Sequence, residues 1–242
     1  MAINAGPKIV EDGLTFCIDA ANKRSYSGSG STVTDMGKNR TPFTLSSTSF
    51  NADRPQSFLL DGTDDHIVST DAAFLKWQNW NQLSFTVVFK HLSAQGNTFD
   101  RVYIFDSRTS GGGNGIYGLF VDNASTQREL TLFYNKNGGS GYEEPTVTTY
   151  NFNEWYIYTF TIDKTTSTNS VRHYLNGVNV FNRSLDLTNS TENSGSSFWI
   201  GRYSGGNYRF HGHIPYMSAH INTILTPEQA KQNYEALRWR FQ

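Results

Sequence analysis

Leu83, Phe85, Val87 and Phe89 alternate with Ser84, Thr86 and Lys90, so large apolar side chains recur at every second position. Only a β-strand places such residues together on one face. The pattern returns in Ile116-Tyr117-Gly118-Leu119-Phe120-Val121, in Leu130-Thr131-Leu132-Phe133-Tyr134 and in Tyr156-Ile157-Tyr158-Thr159-Phe160-Thr161-Ile162. These β-branched and aromatic residues suit a pleated, half-buried surface. Asn114-Gly115, Asn137-Gly138 and Asn176-Gly177 punctuate the runs. The last is a strong hairpin signal, because a type I′ turn needs positive φ at both central residues. Many short strands with little helix predict an all-β chain, two antiparallel sheets packed as a sandwich or jelly roll. Phe85, Val87, Phe160 and Ile162 are its expected core residues.

One segment breaks the pattern. Thr226-Pro227-Glu228-Gln229 offers an N-cap Thr, a Pro at the first helical position and a capping-box Gln. Ala230, Tyr234, Leu237 and Phe241 then fall on one helical face, and Lys231 can pair with Glu235. A short helix over 227–238 is expected to lie on the sandwich.

A chain of 242 residues fits one sandwich domain. Its Gly/Ser-rich pieces at 27–31, 111–115 and 138–141 are short and read as loops. We expect an N-terminal arm over 1–12 and the sandwich over 13–242. Ile3, Ile9 and Val10 in the arm fit two readings, a strand added to a neighbour's sheet or a terminus tucked on its own domain.

The formal charge of −1 and the lack of a basic stripe argue against a nucleic-acid partner. No apolar run approaches the roughly 18 residues of a membrane span, and the first residues lack a signal peptide's apolar centre. Cys17 is the single cysteine. It forms no intrachain disulfide and reads as a small buried hydrophobe, consistent with synthesis in a reducing cytoplasm. The sequons at Asn39, Asn123, Asn182 and Asn189 are treated as products of an Asn-, Ser- and Thr-rich composition.

The run Phe58-Leu59-Leu60-Asp61-Gly62-Thr63-Asp64-Asp65-His66-Ile67-Val68 places a polar turn between two apolar segments and reads as a hairpin. Its composition resembles the phe-asp-gly-x-asp-asp-tyr signature of concanavalin A-like lectin/glucanase domains of the laminin-G type. Residues 13–22 resemble that family's opening strand as found in structural proteins of tailed bacteriophages. Ser84-Phe85-Thr86 resembles its ser-phe-thr strand, residues 155–177 its trp-x-hydrophobic strand pair ending in asn-gly, and Phe198-Trp199-Ile200-Gly201-Arg202 its ile-gly strand. The closing helix resembles its leu-thr-x-glu-glu element. The resemblance implies a concanavalin A-like jelly roll and a virion role, in multiple copies, among capsid, neck or tail proteins.

Glycoside hydrolases of this superfamily carry glu-x-asp-x-x-glu on one strand, and no such spacing occurs here. Glu143 and Glu144 are adjacent, so a strand would point them to opposite sides, and no catalytic residue is assigned. His211 and His213 share a strand face, but two ligands do not make a metal site. The family's gly-x-ile-asp-glu is here Gly212-His213-Ile214-Pro215-Tyr216, without either acid. Asp64 and Asp65 suit Asx bonds in a turn better than calcium, which wants six to eight oxygens. Gly111-Gly112-Gly113-Asn114-Gly115 lacks the Lys-Ser/Thr and helix of a phosphate loop. No metal or cofactor is assigned.

Trp77, Trp80, Tyr142, Tyr203 and Tyr208 lie in or beside polar or Gly-rich segments. Exposed rings there would contact a glycan or a protein partner; buried rings would cap the core under loops. The reading is a non-enzymatic virion or decoration protein, made in the host cytoplasm, that acts as a surface-binding module. A carbohydrate-binding lectin that recognises host-surface glycans is the alternative.

Overall fold

The computed structural model describes residues 7–75, 79–92, 101–107, 117–122, 128–135, 142–143, 146–187 and 197–241. The strands begin with β1 (Leu14–Asp19), β2 (Thr32–Thr34), β3 (Pro42–Ser46), β4 (Ser49–Asn51), β5 (Ser57–Asp61) and β6 (His66–Ser69). There follow β7 (Gln82–His91), β8 (Arg101–Tyr103), β9 (Phe105–Asp106), β10 (Tyr117–Asp122), β11 (Arg128–Asn135) and β12 (Tyr142–Glu143). The last are β13 (Thr146–Tyr150), β14 (Trp155–Asp163), β15 (Val171–Leu175), β16 (Val178–Arg183), β17 (Phe198–Ile200) and β18 (His211–Ile221). Among the described residues one α-helix follows the last strand, α1 (Pro227–Leu237).

Eight strands form one sheet in the order β16-β15-β14-β7-β18-β5-β4, with β1 also paired to β18. The facing layer has two parts, β2-β3-β6-β17-β9 and β12-β11-β10-β8, the latter with β13 on β11. The fold is therefore an antiparallel β-sandwich. At its centre β7 and β14 pair in register, Phe85 opposite Phe160 and Leu83 opposite Ile162. Period-two alternation turns these side chains inward together. Phe85 lies 4.8 Å from Phe105 and 6.1 Å from Phe198, ring centre to ring centre, which joins the two layers. The expected core residues Phe85, Val87, Phe160 and Ile162 are all buried.

The turn at Asn176-Gly177 forms as expected, with φ of +50° and +76° joining β15 to β16. Asn114-Gly115 and Asn137-Gly138 lie outside the described residues. The run 58–68 is not a hairpin. β5 pairs with β4 and β18, whereas β6 pairs with β3 and β17. The chain crosses here from one layer to the other, because Leu60 and Ile67 both have to reach the core between them. Local turn residues cannot distinguish a hairpin from such a crossing.

Ser84 and Thr86, on the opposite face of β7, are also buried. Leu237 and Phe241 pack on Cys17, Val88, Ile157 and Tyr216 and cover the outer side of the large sheet. Thr86 meets Thr159 in a side-chain hydrogen bond of 2.9 Å, and Ser84 donates to the Thr223 carbonyl at 2.9 Å, so burial leaves neither hydroxyl unsatisfied. The helix opens with the expected capping box, Thr226 with Gln229. Glu235 pairs with Arg238 instead of Lys231. The arm is held on its own domain at residues 8–10. Asn233 Oδ1 accepts from Val10 N at 2.7 Å, Gln232 donates to the Lys8 carbonyl at 2.8 Å, and His220 Nε2 meets the Val10 carbonyl at 2.9 Å.

Candidate functional site

β17 sets the site by alternation. Phe198 and Ile200 point into the core, so Trp199 between them stands on the outer face of the second layer. Its cross-strand neighbours are Val68 on β6 and Asp106 on β9. Directly after the strand, Gly201 has φ +84°, and a Cβ there would lie 1.9 Å from Leu60 Cδ2. Only glycine lets the backbone approach the core this closely while turning outward. The loop that follows brings the Arg202 guanidinium 4.1 Å from the centre of the Trp199 ring. His66 lies 5.5 Å from the same ring, centre to centre.

The loop folds back as a tyrosine group. Tyr103, Tyr203 and Tyr208 surround one another with ring centres 5.4 to 5.9 Å apart. Ser204 N donates to the buried Asp106 carboxylate at 2.8 Å, Tyr103 N to the Tyr208 carbonyl at 3.0 Å, and Gly206 N to the Tyr203 carbonyl at 2.9 Å. Tyr208 adopts φ +57°, a conformation that costs a bulky residue of order 1–3 kcal/mol and concentrates at binding sites. Burial holds the His66 imidazole below its usual range, and the nearby guanidinium groups Arg202 and Arg209 add to the shift. The ring is therefore neutral near pH 7. Burial also lowers Arg202, with Arg209 as the second cause. An indole, a guanidinium and two half-buried phenols on one surface can pack against an apolar ring face while donating hydrogen bonds to hydroxyl or carboxylate oxygens.

Of the aromatic residues expected at a site, Tyr203 and Tyr208 are brought together here. Trp80 is not: it is 2% exposed, within the main core, with the Lys164 ammonium 4.5 Å from its ring. Its indole joins the buried cluster that includes Leu75 and Leu83, so packing in the core and not the polar sequence around it decides its place. Trp77 lies outside the described residues, and Tyr142 belongs to β12, opposite Asn135. Trp199, Arg202 and His66 were missed as site residues. The alternation around Trp199 was the available signal, since flanking core residues Phe198 and Ile200 force it outward.

The acidic turn holds Asp61, Asp64 and Asp65, whose carboxylate oxygens lie within 4.8 Å of one another and form the single trio of metal-capable side chains among the described residues. Those oxygens serve the turn. Asp61 accepts from Thr63 N at 2.7 Å and Asp64 N at 3.3 Å, Asp65 accepts from Asp61 N at 2.9 Å, and Asp64 accepts from the Ser47 hydroxyl at 3.0 Å. His213 bonds to Ser57 at 2.9 Å and is lowered by burial. The Cys17 thiol is buried and pushed up to about 12, with burial the main cause, so it is not a nucleophile at neutral pH. Glu143 lies in β12 and Glu144 outside the described residues.

A family model described as the concanavalin A-like lectin/glucanases superfamily matches residues 61–229, well over half of the chain. The chain belongs to that superfamily. The matched span contains β17, the tyrosine loop and the acidic turn. No curated protein sequence matches the chain. Solved structures share the fold at low identity. One is Domain 4 of AbnA, a GH43 extracellular arabinanase from Geobacillus stearothermophilus, in complex with arabinotriose. It is 17% identical with a TM-score of 0.64, over 95% of this chain and 99% of that one. The binding domain of botulinum neurotoxin DC in complex with rat synaptotagmin II is 14% identical with a TM-score of 0.69, over 94% and 52%. Trypanosoma rangeli sialidase in complex with the inhibitor DANA is 12% identical with a TM-score of 0.65, over 94% and 33%. This superfamily member thus spans about a third of the sialidase and half of the neurotoxin domain, and at these identities the likeness is one of fold.

Proposed function

We propose that this protein is a non-enzymatic carbohydrate-binding module carried on the surface of a tailed-bacteriophage particle. The observation that carries the glycan reading is the Trp199 surface, with Arg202 at 4.1 Å from the indole and Tyr203 and Tyr208 on the adjoining loop. Sugars present an apolar face of C–H groups and a rim of hydroxyls, which such a surface matches. The arabinotriose-bound arabinanase domain, of the same fold, is consistent with this reading. Trp199→Ala is expected to weaken binding to a glycan array by about tenfold or more, near 1.4 kcal/mol, while the melting temperature changes little. Undiminished binding by this variant, or an array without any bound glycan, would remove the reading.

The particle role rests on the resemblance of residues 13–26 and of the closing helix to bacteriophage structural proteins. A sheet edge supports it. Among the described residues β16 pairs only with β15, and Val178 and Val180 are 64% and 36% exposed on it. An apolar, unpaired edge of this kind packs on a neighbouring protein. Mass spectrometry of purified particles should find the intact chain in multiple copies, and its absence would leave a free lectin. The purified chain should release no sugar from β-glucans, with or without added calcium, since the same-face carboxylates of the glucanases have no counterpart in its sequence. Release that vanishes on changing Glu143 or Glu144 would make it an enzyme.

A further inference from the structure

Trp239 is 68% exposed, the most exposed large hydrophobic side chain among the described residues. It sits in the helical turn Arg238–Arg240 that follows α1. A cleft of about 540 Å³ opens beside it, lined by Ala21, Arg54, Pro55, Gln56, Arg240 and Phe241. That volume lies within the range of small-ligand sites.

Both walls are fixed. Arg240 holds both carboxylate oxygens of Asp19, at 2.9 and 2.7 Å, and Phe241 packs on Trp155 with ring centres 5.1 Å apart. Across the cleft, the Asn51 amide donates to the Asp53 and Pro55 carbonyls at 3.3 and 3.4 Å and shapes the loop that carries Arg54 and Gln56. Arg240 is thus neutralised. Among the described residues the Arg54 and Gln56 side chains form no hydrogen bond or ion pair, and no carboxylate lines the cleft.

We propose that this cleft is a second binding site, for a sugar that carries a carboxylate. The pyranose face stacks on the Trp239 indole, the Arg54 guanidinium takes the carboxylate through its paired N–H groups, and the Gln56 amide meets a ring hydroxyl. Arginine is suited to this because its planar fork matches a carboxylate in two parallel hydrogen bonds. An exposed indole alone would serve any apolar partner. The unengaged guanidinium and amide beside it select a ligand with directed oxygens and a negative charge. The site is separate from the Trp199 surface, since α1 covers the outer side of the eight-stranded sheet and Trp199 stands on the outer side of the facing layer. It therefore stands or falls independently of the function proposed above.

Calorimetric titration of the full chain with trigalacturonic acid, and with α-1,4-galactotriose as its neutral counterpart, tests the proposal. One saturable site is expected for the acidic trisaccharide, weakened by added salt. Trp239→Ala should weaken it by about tenfold or more. Arg54→Gln, on an exposed loop, should abolish the preference for the acidic over the neutral sugar, and Trp199→Ala should leave the affinity unchanged. Absence of saturable binding, equal affinity for the two trisaccharides, or affinity lost in Trp199→Ala but kept in Trp239→Ala would each overturn it.

Discussion

Phe160→Ala is expected to lower the unfolding free energy by about 3–5 kcal/mol. The ring is fully buried between the layers. It stacks on Phe85 at 5.5 Å and lies 6.1 Å from Phe105, so it touches both sheets of the sandwich. Removing it deletes apolar surface and leaves a cavity that neighbours on two rigid sheets cannot close. Urea denaturation at fixed pH reads the loss directly. A change under about 1 kcal/mol would mean that the core is not built around this ring. Val178→Ala, on the exposed β16 edge, should stay within about 0.5 kcal/mol and serves as the contrast.

Acid should destabilise the fold well before most carboxylates protonate. His173 is fully buried on β15, its Nδ1 bonded to the Tyr158 hydroxyl, and its Nε2 has no partner. Burial lowers its pKa to about 3 from an ordinary value of 6.5. Between those values the unfolded chain binds a proton that the folded chain refuses. Stability from this group is therefore complete above about pH 6.5 and is lost as pH falls toward 3, by about 5 kcal/mol in all. His66, His213 and His220 are lowered by burial and act in the same direction. Asp35 and Asp65 are raised by burial and oppose it. His173→Phe costs some stability at pH 7, because the Tyr158 hydroxyl loses its bond to the imidazole, but it should flatten the decline between pH 7 and pH 4. An undiminished slope in the variant would place the acid sensitivity in another group.

Much of this architecture could be read locally. Alternation in 83–89 and 156–162 identified both central strands and their inward faces, because a pleated strand allows only that assignment. Thr226, Pro227 and Gln229 marked the helix start through backbone groups within one turn. The hairpin at Asn176-Gly177 was equally local, since two positive φ angles have few alternatives. The run 58–68 misled for a related reason. Its turn residues describe how the backbone bends, whereas the partners of each flanking strand lie outside the run, at Phe50 and Ile214 for Phe58 and at Leu45 and Ile200 for Ile67. Trp80 misled too, because its neighbours in sequence are polar while its neighbours in space are the core and Lys164.

The sequence by itself determined the β-class, the identity of the inward faces, the capped helix and the family, all of which rest on side-chain period and short-range backbone preference. Tertiary structure alone decided which strands pair, that the outer side of the large sheet is buried under α1, and that Trp199, Arg202, His66 and Tyr208 form one surface. It also brought Trp239 to Arg54 across more than half the chain. Propensity acts within a few residues, but a site on a sandwich is assembled by loops and strands whose meeting depends on how two whole sheets pack.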